Sequence, residues 1–566
     1  MIYELNFYIS QIKDLLDRWS ALRERETSQA AQISGDLSQS KQPMSHRLNF
    51  DMHFPAPDDN DGSFLFFGSS SVYVLSIELL AIACPESTML RPPENVSGRD
   101  NGIQQPSVQS LDNVSLRVIP SKVDILKLFD TYQESCMIFW PFPIESVSDD
   151  DIATFLQSTQ EATSDSGPPT RVGAYSNFLI AMICSISAAH SSRTISTMGA
   201  YEDFFYRCAL KLMKEVLSEA THESLRGLMM IIIYLLFRPQ RGDLWMLLQS
   251  ACRLAVELGY HRQDAPFSED FDQRSWRSYT FWSLYRLEHT VAEVYGRPSD
   301  DLESISTIEL PPMALPSFDM KRLSTLTGTT FVALVGLSRI RSEIFKTLYL
   351  PASASPLGLE DPFYLAKLRQ IEKWCQKTMG GVKDRFSDVV FRIAYHSAMI
   401  FLFQKSLLRV ISSIGESPIN QQRMASSVAV QSFKSAGHLI DIYETLILSD
   451  EGQGLSNYPV TFVSAHEIYA AGLTLMAHCI CLLDGRVGRI EFPIHSSQPL
   501  LQATSSPLHQ SFFTHEETGR IHALSATCLS LLTWCAIQWP GMSGMVEIYR
   551  EVSATTLPMM ARQGLA

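Results

Sequence analysis

No cysteine precedes Cys84 in this 566-residue chain. A thiolate metal cluster is therefore excluded from everything upstream of it. Positive charge is scarce as well: 46 Lys and Arg face 60 Asp and Glu, for a net charge of −14. Nucleic-acid affinity depends on neutralising phosphates with basic side chains, so an acidic chain without a basic stripe is by itself a poor DNA binder. Long apolar runs are missing too. The longest, Leu228 to Phe237, falls short of the ~20 residues that span a bilayer, and the N-terminus has no apolar signal region. These absences point to a soluble intracellular chain that does not insert into a membrane.

Catalytic signatures are equally sparse. There is no Gly-x-Ser-x-Gly elbow, since Gly541-Met-Ser543-Gly has the wrong spacing. No phosphate-binding Gly-x-x-x-x-Gly-Lys-Ser/Thr loop and no His-Glu-x-x-His occur. The carboxylate groups Asp149-Asp150-Asp151 and Asp300-Asp301 stand in polar stretches and read as solvated or helix-capping. The most metal-like group is His466…His478-Cys479-x-Cys481. Only His478 and Cys481 share a helical face there, and two ligands do not make a zinc site. The chain is therefore read as having no catalytic and no metal residues.

What is present is apolar and helical. Hydrophobic residues make up 45% of the chain and aromatics 10%, enough for one large core or two smaller ones. The ten cysteines are scattered, mostly through apolar stretches, as buried thiols are in an intracellular protein. From about residue 121 onward, apolar positions recur at i, i+3 and i+4 in segments near 123–134, 175–190, 200–219, 223–237, 243–258, 273–295, 325–349, 361–379, 384–413, 421–448, 459–483 and 516–537. Asp243 is a suitable N-cap and Gly259 a suitable stop for the fifth of these. Loops at 296–323, 351–362 and 484–514 carry prolines and glycines. No repeat of fixed period and no convincing alternating strand is visible.

The first residues form the most regular pattern. Ile2, Leu5, Ile9, Ile12, Leu16 and Trp19 follow the 3,4 spacing of a coiled-coil seam, which Arg23 interrupts. Such a helix either joins a partner's helix, as in a homodimer or heterodimer, or docks on the chain's own core; short isolated helices are marginal in water. The resulting division is a dimerisation helix at 1–26, a polar disordered linker at 27–63, an apolar motif segment plus linker at 64–120, a large domain at 121–550 and a tail at 551–566. The predicted fold class is all-α: a large irregular multi-helix domain with a short N-terminal coiled-coil helix and disordered linkers.

An ordered set of motifs then becomes recognisable. Trp245-Met-Leu-Leu-Gln-Ser-Ala-Cys-Arg253-Leu-Ala-Val-Glu-Leu-Gly259-Tyr-His261-Arg262 is followed by Trp276-Arg277, Phe281-Trp282-Ser283-Leu284-Tyr285, Gly296-Arg297-Pro298 and Glu309-Leu-Pro-Pro312. Weaker elements flank this block: Phe66-Phe67-Gly68-Ser69-Ser70-Ser71, Phe139-Trp140-Pro141-Phe142, Tyr395-His396, and Trp539-Pro540 with Tyr549. In order and spacing the set resembles the fungal-specific transcription factor domain, the middle region of fungal zinc-cluster regulators, over most of 64–550.

The resemblance implies a nuclear transcription regulator, an all-α regulatory domain and no enzyme. It also implies an N-terminal module of six cysteines that binds two zinc ions and places a helix on DNA. With Cys84 as the first cysteine, that module is absent from this sequence. The chain is thus expected to hold no zinc of its own, to reach DNA only through an absent module or a partner, and to supply regulation and dimerisation. Two alternatives stand beside this. One is a zinc-less homologue that modulates a full regulator by protein contact. The other is an all-α enzyme of a biosynthetic gene cluster, for which no catalytic constellation speaks.

Within the best-matching block, Trp245, Arg253, His261, Arg262, Phe281, Trp282, Tyr285, Glu288 and Arg297 are the candidate regulatory core. The polar members serve either as internal ion pairs, Glu288 with Arg253, Arg277 or Arg297, or as contacts to a small-molecule effector. The aromatic members, with Tyr295, either fill the core or line the effector's pocket.

Overall fold

The computed structural model describes residues 52–55, 64–67, 70–87, 120–142, 147–160, 171–263, 271–299, 302–315, 324–350, 361–382, 384–414, 426–448, 455, 457–485 and 515–564. The proposed dimerisation seam from Ile2 to Trp19 lies outside these residues.

The architecture is all-α, with fifteen α-helices among the described residues. In chain order they are α1 (Val72–Ala83), α2 (Lys122–Ser135), α3 (Asp149–Gln160), α4 (Arg171–Ser191), α5 (Met198–Val216), α6 (His222–Phe237), α7 (Leu244–Glu257), α8 (Phe271–Tyr295), α9 (Ser324–Leu348), α10 (Pro362–Met379), α11 (Arg385–Ser412), α12 (Ser426–Ile447), α13 (Phe462–Leu483), α14 (His515–Gln538) and α15 (Ser543–Gly564).

Three details extend or depart from the sequence reading. The expected linker at 27–63 contains a strand: β1 (Met52–Pro55) pairs antiparallel with β2 (Phe64–Phe67), Met52 opposite Phe67 and Pro55 opposite Phe64. Four residues are too few for an alternation pattern to stand out. Second, Asp149-Asp150-Asp151 is the first turn of α3. Ser148 accepts from the Asp151 amide at 3.1 Å while the Asp151 carboxylate accepts from the Ser148 amide at 2.8 Å. This is a capping box, and acidic side chains at a helix N-terminus are favourable. Third, the expected tail from 551 is helical through Gly564, with Val552, Thr556 and Met560 buried.

The chain divides into two compact units. The first comprises 92–288 and 300–332 among its parts; the second comprises 46–91, 289–299 and 333–566. Helices α8 and α9 each contribute residues to both.

In the first unit α4 packs against α2, α3, α5 and α6. Helix α6 is capped by Thr221, whose hydroxyl accepts from the Ser224 amide at 3.2 Å, and is buried along nearly its whole length. A helix apolar on every side belongs at the centre of a domain.

In the second unit α13 is the hub, touching α1, α11, α12, α14 and α15. Gly472 makes this closeness possible: a Cβ there would meet Cys528 Sγ at 2.5 Å and Tyr549 Cε2 at 2.8 Å.

Windows of α11, α13 and α14 are long and apolar enough, by length and composition, to cross a membrane. Their Ser, His and Gly positions interrupt the apolar run without lowering the average much. In the structure 78% of the α13 window is buried inside the protein, so its apolar surface is used by neighbouring helices.

Candidate functional site

Most of the motif block, from Trp245 to Tyr285 and again at Glu309–Pro312, lies in the first unit, and Gly296–Pro298 lies in the second. Asp243 caps α7, accepting from the Met246 amide at 3.0 Å. Gly259 ends the helix at φ +73°, with the Tyr260 amide bonded to Ala255 O at 2.9 Å. That six-to-one bond across a left-handed residue is a Schellman stop, for which glycine is suited. Gly296 repeats the device at the end of α8, with φ +67° and the Arg297 amide on Ala292 O at 3.0 Å. Both glycines of the Leu-Gly-Tyr-His and Tyr-Gly-Arg-Pro motifs thus have a backbone reason.

After Gly259 the chain is tied to the segment around 302–312. Thr307 N donates to His261 O at 2.9 Å, Gln263 N donates to Thr307 Oγ1 at 3.0 Å, and Glu309 N donates to Gln263 Oε1 at 3.2 Å. Helix α8 holds the same segment from its other side. Trp282 Nε1 and Ser278 Oγ both donate to Glu309 O, at 3.0 and 2.6 Å. Tyr279 donates its hydroxyl proton to Pro312 O, and Tyr285 donates to Glu303 Oε2 at 2.8 Å. Ser283 reaches Pro141 O at 2.9 Å, and Arg286 reaches Phe139 O at 2.5 Å. The Phe-Trp-Ser-Leu-Tyr motif is therefore an anchor for two distant loops. Its polar atoms go to main-chain carbonyls and one carboxylate.

The candidate residues fall as follows. Phe281, Trp282, Tyr285 and Glu288 are buried. Phe281 and Trp282 meet edge to face at 5.3 Å, and Trp282 and Tyr285 at 5.1 Å. Trp245 and His261 are half-buried, whereas Arg253 and Arg262 are exposed. Arg277 donates to Gly259 O and Arg262 O, closing the end of α7. Arg297 belongs to the second unit and lies 5.1 Å above the Tyr295 ring.

The second unit contains a polar centre that no motif announces. Arg341 on α9 donates to Glu293 Oε2 from Nε at 2.9 Å and from Nη2 at 2.5 Å, and to Ser397 Oγ at 3.2 Å. Its guanidinium sits 4.9 Å over the Phe401 ring. Tyr443 donates to Glu467 Oε2 at 2.5 Å, and burial raises the Glu467 carboxyl above the usual range. Ser70, from the Phe-Gly-x-Ser-Ser motif, donates to Glu293 O at 3.0 Å, and Gln404 donates to Ser70 O at 3.0 Å.

The His466 and His478 imidazoles are both buried on α13. His466 lies edge-on to Tyr73 at 5.7 Å and to Phe462 at 5.6 Å, and His478 to Phe433 at 5.7 Å. Burial lowers their pKa values to about 4 and about 3. Among the described residues no group of three His, Cys, Asp or Glu is placed to hold a metal.

Residues 137–378 match the family model of the fungal specific transcription factor domain. The matched stretch takes in the whole of the 244–312 block and its anchor at Phe139 and Pro141. Its curated relatives are named as regulators. The chain is 24% identical over 301 residues to pyrimidine pathway regulatory protein 1 of Saccharomyces cerevisiae, covering 50% of this chain and 31% of that protein. It is 28% identical over 148 residues to transcription regulator galc of Aspergillus niger, covering 25% and 18%. It is 27% identical over 222 residues to the negative regulator of pleiotropic drug resistance STB5 of Candida glabrata, covering 37% and 21%. The chain thus spans less than a third of the length of each of these relatives.

Proposed function

We propose that this chain is the regulatory and assembly part of a nuclear transcription regulator of the fungal zinc-cluster type. The observation that supports this reading is the match of 137–378 to the fungal specific transcription factor domain, together with the similarity to relatives named as regulators. DNA contact falls to a two-zinc module or to a partner subunit, and the 2–19 seam mates with a second helix. The chain is not an enzyme in this reading.

Fusing the chain to an unrelated DNA-binding module upstream of a reporter tests it. The reporter level is expected to change relative to the module alone. An unchanged level, with the fusion present and folded, overturns the proposal. Sedimentation of the full chain tests the assembly role: a concentration-dependent dimer, lost in Leu16→Asp, is expected.

A further inference from the structure

Arg341 of α9 uses only part of its hydrogen-bonding capacity. A guanidinium carries five N–H donors. Nε and Nη2 each give one to Glu293 Oε2, at 2.9 and 2.5 Å, and Nη1 gives one to Ser397 Oγ at 3.2 Å. Two donors, one on each terminal nitrogen, therefore have no partner among the described residues. The group is surrounded by protein, and the Phe401 ring covers one of its faces at 4.9 Å. Even so, its side chain keeps 20% of its surface accessible. Enclosure and access coexist when the open surface faces a cleft inside the second unit. The same contacts place the other walls of that cleft. Ser397, on α11, also hydrogen-bonds the Glu467 carboxylate of α13, to which Tyr443 donates at 2.5 Å. A small residue stands one turn from each of these side chains: Ser338 beside Arg341, Ala394 beside Ser397 and Ala470 beside Glu467. All three, and Glu467 itself, are only half-buried.

Charge decides what such a cleft can take. Glu293 neutralises Arg341. Glu467 adds at most one negative charge, and burial raises its carboxyl above the usual range, which trims that charge further. The net charge is therefore between zero and minus one, which disfavours an oxyanion. The open groups are donors, which an ammonium cannot use. We infer that the cleft between α9, α11 and α13 binds a small uncharged ligand by a carbonyl oxygen, as in an amide, lactam or ketone, held by the two open N–H donors of Arg341. A hydrogen bond from a guanidinium is charge-assisted, and it gains strength where water is scarce. Glu293 and Ser397 have positioning roles, since together they fix the plane of the guanidinium and so the direction of its open donors. The inference rests on the proposed regulatory role for the meaning of binding, and it names the class of effector.

The test is calorimetric and thermal-shift titration of the purified full chain with benzamide. Benzoate and benzylamine, which carry the same ring with a negative and a positive charge at pH 7, are the comparisons. A saturable response to benzamide, stronger than to either charged probe, is expected. Two variants remove the site by different routes. Arg341→Met combined with Glu293→Leu deletes the donors without stranding a buried charge. Ala470→Leu fills the cleft and leaves every hydrogen bond of the network in place. Each is expected to weaken benzamide binding about tenfold or more, the loss of at least one charge-assisted hydrogen bond. Far-ultraviolet circular dichroism and the melting temperature without ligand establish that each variant is folded; Ala470→Leu, at a half-buried position, is the safe one. The proposal falls if benzamide gives no saturable response, or if benzoate or benzylamine binds more tightly. It also falls if the folded variants bind benzamide as the parent does. Because the readout is binding by the isolated chain, its failure is separate from a failure of the reporter fusion.

Discussion

Arg341 and Glu293 form a paired, buried contact, with Nε at 2.9 Å and Nη2 at 2.5 Å from one carboxylate oxygen. Their side chains are 20% and 8% exposed, so solvent screens this ion pair little. Breaking such a pair leaves one buried charge uncompensated and typically costs about 3–5 kcal/mol, whereas replacing both partners with apolar groups is often close to neutral. Arg341→Met alone is expected to lose stability in that range by urea denaturation, and the Arg341→Met, Glu293→Leu double variant to regain most of it. A single-variant loss below about 1 kcal/mol would place the pair among weak surface contacts.

The close approach at Gly472 gives a second expectation. A methyl group there overlaps Cys528 and Tyr549, both fully buried. Gly472→Ala should cost about 1–3 kcal/mol, the usual range for overpacking. Gly199 on α5 has open space around its would-be Cβ, so Gly199→Ala should be neutral or stabilising by up to about 1 kcal/mol. Thermal melts of the two variants should therefore move in different directions; a shared direction would contradict the packing at α13.

Acid should destabilise the second unit through its histidines. Burial lowers His478 and His396 to about 3 and His466 to about 4. For a base whose folded pKa is depressed, the unfolded chain takes up the proton first. Its stabilising contribution is complete above the ordinary value near 6.5 and is lost as pH falls towards the folded pKa. Among the described residues neither His478 ring nitrogen has a hydrogen-bond partner, and its ring abuts Phe433. His478→Phe should leave stability at pH 7 unchanged or raised. At pH 5 the variant should exceed the parent by about 2 kcal/mol more than at pH 7, the linkage of one histidine over about 1.5 pH units. Parallel denaturation curves at the two pH values would refute this.

The strap at 302–312 should loosen when its α8 anchors are removed. Trp282→Phe deletes the donor to Glu309 O, and Tyr285→Phe the donor to Glu303. Each should cost about 0.5–1.5 kcal/mol, the usual net worth of one hydrogen bond. Amide exchange at Thr307 and Glu309, whose amides are bonded across this strap, should quicken in both variants. Unchanged exchange at those two amides would show that the strap is held elsewhere.

The helices were legible because their signals are local. Asp243 with Gly259, and Asp384, which accepts from the Ser387 amide at 2.8 Å, mark helix ends through contacts only a few residues long. The acidic run at Asp149–Asp151 was legible as solvated or capping, and the Ser148–Asp151 contacts decide for capping. The motif block was legible as an ordered string, yet the task of its members was not. Trp282 reaches Glu309, Ser283 reaches Pro141 and Ser70 reaches Glu293, and nothing in the spacing of an aromatic or a serine names a carbonyl so far along the chain.

Sequence alone therefore determined the all-α class, most helix boundaries and the family resemblance, since capping, periodicity and motif order act within one turn or one segment. Only the tertiary structure decided where the charges go. It paired Glu293 with Arg341, turned Arg277 onto main-chain carbonyls, and set His222 and Arg277 against Tyr260. A charge chooses its partner by distance and by the water excluded between them, and both exist only once the helices have packed.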